Sequence, residues 1–83
     1  MLKINIIIEE DYILDILNKR GLLKQYKKSK ENILNGIYSG NKIGYREPKN
    51  EGIIYFRINK QFRAFGRFKD GTLIVFDINN HQN

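Results

Sequence analysis

The chain has no cysteine and only one histidine, His81. The first absence excludes a disulfide scaffold, a thiolate zinc site and cysteine nucleophilic catalysis, and the second makes a histidine metal cluster unworkable. Long apolar runs are missing too. Runs such as Ile6 to Ile8 fall far short of a membrane span, and Met1 leads into alternating residues with no signal-peptide core. A cytoplasmic protein without a membrane partner is the expectation. At 83 residues there is material for one core, because a second would leave each half too little apolar surface to offset chain entropy.

Acidic residues are scarce over most of the chain. Residues 1–18 hold Lys3 against Glu9, Glu10, Asp11 and Asp15, whereas residues 19–83 hold fourteen bases against five acids, within an overall charge of +6. The later chain therefore seeks anions, either nucleic acid or an acidic protein.

Leu2, Ile4, Ile6 and Ile8 alternate with Lys3, Asn5 and Ile7, which predicts a first strand with one strongly apolar face. Glu9, Glu10 and Asp11 then read as the acidic start of a helix over Ile13, Leu14, Ile16 and Leu17 that ends at Gly21. A second helix follows on Leu22, Leu23, Tyr26, Ile33, Leu34 and Ile37, with Gly36 as its C-cap and Lys24, Lys27, Lys28 and Lys30 as a basic face. Tyr38 to Gly52 shows no periodicity and reads as a loop of about fifteen residues, a length that is more often functional than idle. The last third is a meander of Ile53–Ile58, Phe62–Phe68 and Thr72–Ile78.

Register assigns the faces of that meander. Pairing Ile58 with Phe62 across a three-residue turn puts Ile54, Phe56, Ile58, Phe62, Ala64, Gly66 and Phe68 together. A second three-residue turn, Lys69 to Gly71, would add Ile74, Phe76 and Ile78 to that side. Helices must cover this face. The opposite one then carries Tyr55, Arg57, Arg63, Phe65 and Arg67, with Leu73, Val75 and Asp77, and places Asp77 across from Arg63 and His81 two steps beyond.

Cleavage of RNA without a metal needs a base for a 2′-hydroxyl, cations for the phosphorane-like charge and an acid for the leaving 5′-oxygen. Glu47, Arg63 and His81 supply those parts, with a histidine that titrates in the useful range. Plainer roles stay open. Glu47 serves equally as a surface acid, Arg63 as a cross-strand partner of Asp77, His81 as an exposed histidine near the chain end, and Tyr55 and Phe65 as sheet packing.

The segments REPKNEGIIYFRINKQFRAF and DGTLIVFDINNH bring in a resemblance. Over nearly its whole length the chain resembles the RelE/ParE superfamily of bacterial toxins, and in these segments the YoeB-type messenger RNA interferases. The resemblance implies an α+β domain spanning residues 1–83, with an N-terminal strand and two helices packed on one face of a four-stranded, mostly antiparallel sheet. It implies cofactor-free and metal-free cleavage of messenger RNA on the ribosome, and neutralisation by a cognate antitoxin. Glu47 in the Glu-Pro-x-Lys pattern would be the general base, Arg63 the transition-state cation and His81 the general acid. Lys42, Arg46, Lys49, Tyr55, Arg57, Phe65 and Arg67 would bind RNA. One position departs from the family, since Gln82 follows the histidine where those enzymes carry tyrosine. Relatives of the ParE kind share the architecture but inhibit DNA gyrase, and a plain RNA-binding module is a third reading.

Overall fold

A computed structural model describes residues 2–80. Strand β1 (Ile6–Glu9) is followed by helices α1 (Ile13–Lys19) and α2 (Leu23–Leu34). Four further strands complete the chain: β2 (Gly44–Tyr45), β3 (Ile53–Arg57), β4 (Phe62–Lys69) and β5 (Thr72–Asn80). They form one sheet in the order β1-β5-β4-β3-β2, an antiparallel meander from β2 to β5 with β1 added parallel to β5. The α+β architecture is as expected, but the sheet has five strands. The extra one is β2, two residues inside the expected loop, where Gly44 pairs with Tyr55 and Tyr45 with Ile54. Two paired residues are too few to show a period, which is why the sequence pattern hides them.

Both helices stop where glycine allows a left-handed step. Gly21 and Gly36 adopt φ of 69° and 79°. The following amides, Leu22 and Ile37, donate back to the carbonyls of Leu17 and Asn32, while the glycine amides donate to Asn18 and Ile33. These are Schellman closures, which satisfy carbonyls that the helix leaves unpaired. The helices turn Ile13, Leu17, Leu22, Tyr26 and Ile33 onto Ile54, Phe56, Ala64, Leu73 and Val75 of the sheet to make the core. Among the described residues no helix is long and apolar enough to cross a membrane.

Two expected registers are wrong. In β1, Ile4 and Ile7 are buried while Ile6 and Ile8 are about half exposed. The amides of Asn5 and Ile6 both donate to the Gly71 carbonyl, at 2.8 and 3.2 Å, so the alternation slips by one residue there. In β5, Leu73 and Val75 are fully buried whereas Ile74 faces solvent.

The cause in β5 is a turn of two residues. Asp70 and Gly71 both have positive φ, 52° and 82°, and Lys69 pairs with Thr72, as in a type I′ hairpin. The first hairpin already fixes the faces of β4, so this turn decides only which β5 residues join the core. Unbroken, its register would set Asp77 opposite Ala64, inside the core, and turn Ile78 outward. A β-bulge between Phe65 and Gly66 adds one residue on β5 instead, pairing Phe65 with Asp77 and Ala64 with Ile78. Gly66 makes room for it, because a β-carbon there would sit 2.8 Å from Leu73 Cδ1 and 2.9 Å from the Ile74 carbonyl oxygen.

Glu9 belongs to β1 and does not start a helix. Its Oε2 accepts from Tyr26 Oη at 2.6 Å and from Lys30 Nζ at 2.7 Å, tying the strand to α2. Burial first, then the bond to Glu9 and its charge, hold the Tyr26 phenol well above its ordinary range. Unfolding frees that phenol to ionise above about pH 10, so the stability it contributes is whole below that pH and declines above it. Denaturant unfolding between about pH 9 and 11.5 is expected to show a loss approaching 1.4 kcal/mol per pH unit from this group. Tyr26→Phe should lack that component.

Candidate functional site

The side of the sheet away from the helices carries the arginines. Along β3, Ile54 and Phe56 enter the core, leaving Ile53, Tyr55 and Arg57 for the other face. Their partners on β4 are Arg67, Phe65 and Arg63, in that order. The first turn has the expected three residues, with the Asn59 side-chain oxygen accepting from the amides of Gln61 and Phe62. This keeps Arg63 and Arg67 out of the core, where an unpaired charge would be costly.

On this face, guanidinium groups lie over rings. Arg63 Cζ is 4.6 Å from the Tyr55 ring centre, Arg46 Cζ 5.6 Å from that of Phe65 and Arg67 Cζ 4.9 Å from that of Phe76. Tyr55 and Phe65 touch each other with ring centres 5.8 Å apart. Phe65 and Ile53 are buried here although they stand outside the main core. Arg57 and Arg63 are direct cross-strand partners, an arrangement that repels unless an anion lies between them.

Asp77 does not serve Arg63. It pairs with Phe65 across the bulge, and the residue opposite Arg63 is Asn79. The ion pairs among the described residues are Lys30 with Glu9 and Lys19 with Asp15, so none of the arginines on this face is in one.

The expected loop places the remaining candidates around the rim. Asn41 is buried, its amide donating to the Arg57 carbonyl at 3.2 Å, which fixes exposed Lys42 near that end of β3. At the other end the Arg46 amide donates to the Ile53 carbonyl at 2.8 Å, extending the β2 pairing by one step. Glu47 comes next, exposed, before a cis bond to Pro48, and Lys49 starts a 3₁₀ turn ending at Glu51. The Glu47 carboxylate is in neither ion pair, so Arg46 and Lys49 do not neutralise it. His81 lies outside the described residues, as does Gln82.

Sequence reasoning missed the Phe76 contact with Arg67, since the assumed turn placed Phe76 under the helices. It also placed Leu73 and Val75 on the arginine face, which the two-residue turn reverses. The aspartate–glycine dipeptide, a strong signal for a two-residue hairpin, was the available clue.

The chain is a small α+β domain whose fold is similar to that of solved YoeB and ParE toxin structures. A YoeB/ParE toxin from Agrobacterium tumefaciens matches with a TM-score of 0.66 at 15% identity, over 98% of this chain and 100% of that one. YoeB from Staphylococcus aureus, in a dimer structure, matches with a TM-score of 0.63 at 17% identity, and with the same coverage. A heterotetrameric YoeB-YefM toxin-antitoxin complex from the same organism gives 0.61 at 17% identity, again over 98% and 100% of the two chains. No protein-family model matches the sequence, and no curated protein matches it significantly, so the likeness is one of fold.

Proposed function

We propose that residues 1–83 form the toxin of a toxin-antitoxin pair, a ribosome-dependent endoribonuclease that cuts messenger RNA without a metal in the cytoplasm. The observation that carries this reading is Arg63 on the helix-free face, beside Arg57 and without a carboxylate partner among the described residues. A structural arginine in a sheet would have found Asp77. One that binds phosphate must be left open.

In this mechanism Glu47 removes the proton from a 2′-hydroxyl, whose oxygen attacks the adjacent phosphorus. Arg63 stabilises the charge that builds on the phosphoryl oxygens, and His81 gives a proton to the departing 5′-oxygen. The products are a cyclic phosphate and a free 5′-hydroxyl. Arg46, Lys42, Lys49, Arg57 and Arg67 contact the RNA backbone, while Tyr55 and Phe65 line the same face. An antitoxin with an acidic segment would neutralise these charges and block RNA access, as charge complementarity requires. The Staphylococcus aureus YoeB-YefM complex supports an antitoxin partner.

Messenger RNA cleavage in a translation extract tests the proposal. Wild type should cut, and His81→Ala should bind ribosomes yet cut far more slowly. Intact RNA with gyrase inhibition would support the inhibitor reading in its place, and salt-sensitive RNA binding with no cleavage a binding module.

A further inference from the structure

The four ring and guanidinium groups at the centre of the site are not simply neighbours. Strand residues rise by about 3.3 Å each, so Arg63, level with Arg57, starts some 7 Å along β3 from the level of Tyr55 and Phe65. Arg46, level with Ile53, starts a similar distance on the other side. Both guanidinium groups nevertheless lie over this one pair of rings, Arg63 on Tyr55 and Arg46 on Phe65. The two cations lean towards each other from opposite ends, against their own repulsion.

Gly44 is part of the arrangement. It faces Tyr55 in the β2–β3 pairing, and a β-carbon there would lie 2.7 Å from the phenol oxygen and 2.9 Å from the ring carbon that bears it. The Tyr55 ring therefore lies across β2 in the space a side chain would take. That draws its centre towards the β2 edge, which continues through Arg46 to Glu47. Arg63 follows the ring in that direction.

We infer that Tyr55, seated over Gly44, is a positioning residue that brings Arg63 towards the Glu47 corner and towards Arg46, which is held on the adjoining Phe65 ring, so that both guanidinium groups serve one phosphate. Each ring's quadrupole attracts its own cation, Arg63 on Tyr55 and Arg46 on Phe65, against the Coulomb repulsion that would separate them, and the flat Tyr55 ring fixes the plane of the Arg63 fork. In this assignment the face of Tyr55 is occupied by a guanidinium and is not a stacking platform for a base. The inference rests on the nuclease reading for its effect on cleavage, but the geometry can be tested without it.

The test uses Tyr55→Leu, Tyr55→Phe and Gly44→Ala, with thermal unfolding to confirm that each is folded. In ¹⁵N-labelled protein, the Arg63 Nε–H resonance should be displaced by the ring in wild type and Tyr55→Phe, and should revert towards the value of a free arginine in Tyr55→Leu. Gly44→Ala, which pushes the ring off β2, should shift it again. In the translation extract, Tyr55→Leu and Gly44→Ala should each slow cleavage about tenfold at saturating ribosomes, the worth of a partly desolvated cation–π contact, with ribosome affinity little changed. Tyr55→Phe should cut within about twofold of wild type, since the ring carries the effect. An undisplaced wild-type Arg63 resonance overturns the inference, as does full activity of Tyr55→Leu alongside an active wild type. If wild type leaves RNA intact, the nuclease reading fails and the resonance alone decides: displacement upholds the platform and its absence ends it.

Discussion

Arg63→Ala is expected to reduce messenger RNA cleavage about 10²–10³-fold while leaving the fold in place. The size follows from what a preorganised donor contributes when charge builds on an oxyanion in a site that excludes water. The fold should survive because Arg63 is on the helix-free face, makes no ion pair among the described residues, and stands opposite Arg57, whose repulsion the change relieves. Arg63→Lys should recover only part of the loss, since an ammonium keeps the charge but lacks the planar fork that can hold two phosphoryl oxygens. The measurement is the initial rate of cutting of ribosome-bound message, with thermal unfolding recorded on the same preparations. Cutting within about threefold of wild type by the alanine variant would remove Arg63 from the mechanism, because the loss of even one donor should exceed that.

The second large effect falls on stability. Phe56→Ala should cost about 3–5 kcal/mol, the range for truncating a buried aromatic side chain. Phe56 is fully buried and its ring centre lies 5.9 Å from that of Tyr26, so the cavity would open between β3 and α2. A chain of 83 residues is expected to have roughly 4–12 kcal/mol of stability in all, so the variant should be marginal or unfolded at physiological temperature. Denaturant midpoints measured by circular dichroism would check this. A loss below about 1 kcal/mol would show that the site repacks and that Phe56 is not central to the core. Phe56 lies between Tyr55 and Arg57, so adjacent positions on one strand should separate cleanly into loss of fold and loss of activity.

The same alternation explains what could be read from the residues alone. Outside the turn at Asn59–Gln61, alternate positions from Ile54 to Phe68 are uncharged and mostly apolar while the intervening ones include Arg57, Arg63 and Arg67, so burying the wrong face would bury charge. Only one arrangement of the first hairpin avoids that, and it is the one observed. β5 lacks such a constraint near its start, where Thr72, Leu73, Ile74 and Val75 could pack on either face, and the deciding feature is a turn of two residues against three. β1 is more ambiguous still, with three consecutive isoleucines at Ile6–Ile8 that fit any phase. Glu9 was misassigned because acids suit a helix start, and its real partners, Tyr26 and Lys30, are far along the chain. Of the arginine face, the sharing of one side by Arg63, Tyr55 and Phe65 could be inferred from register. The convergence of Arg46 onto them could not, since it depends on how β2 docks.

The surplus residue of β5 sits in mid-strand and not in the hairpin loop. Loop length is thereby uncoupled from where the far end of the strand is aimed. A chain with this architecture can shorten its last hairpin by one residue and invert which side chains of the neighbouring half-strand are dry. The correction is made before the position facing Arg63 is reached, so the surroundings of that arginine can persist while the local hydrophobic pattern reverses.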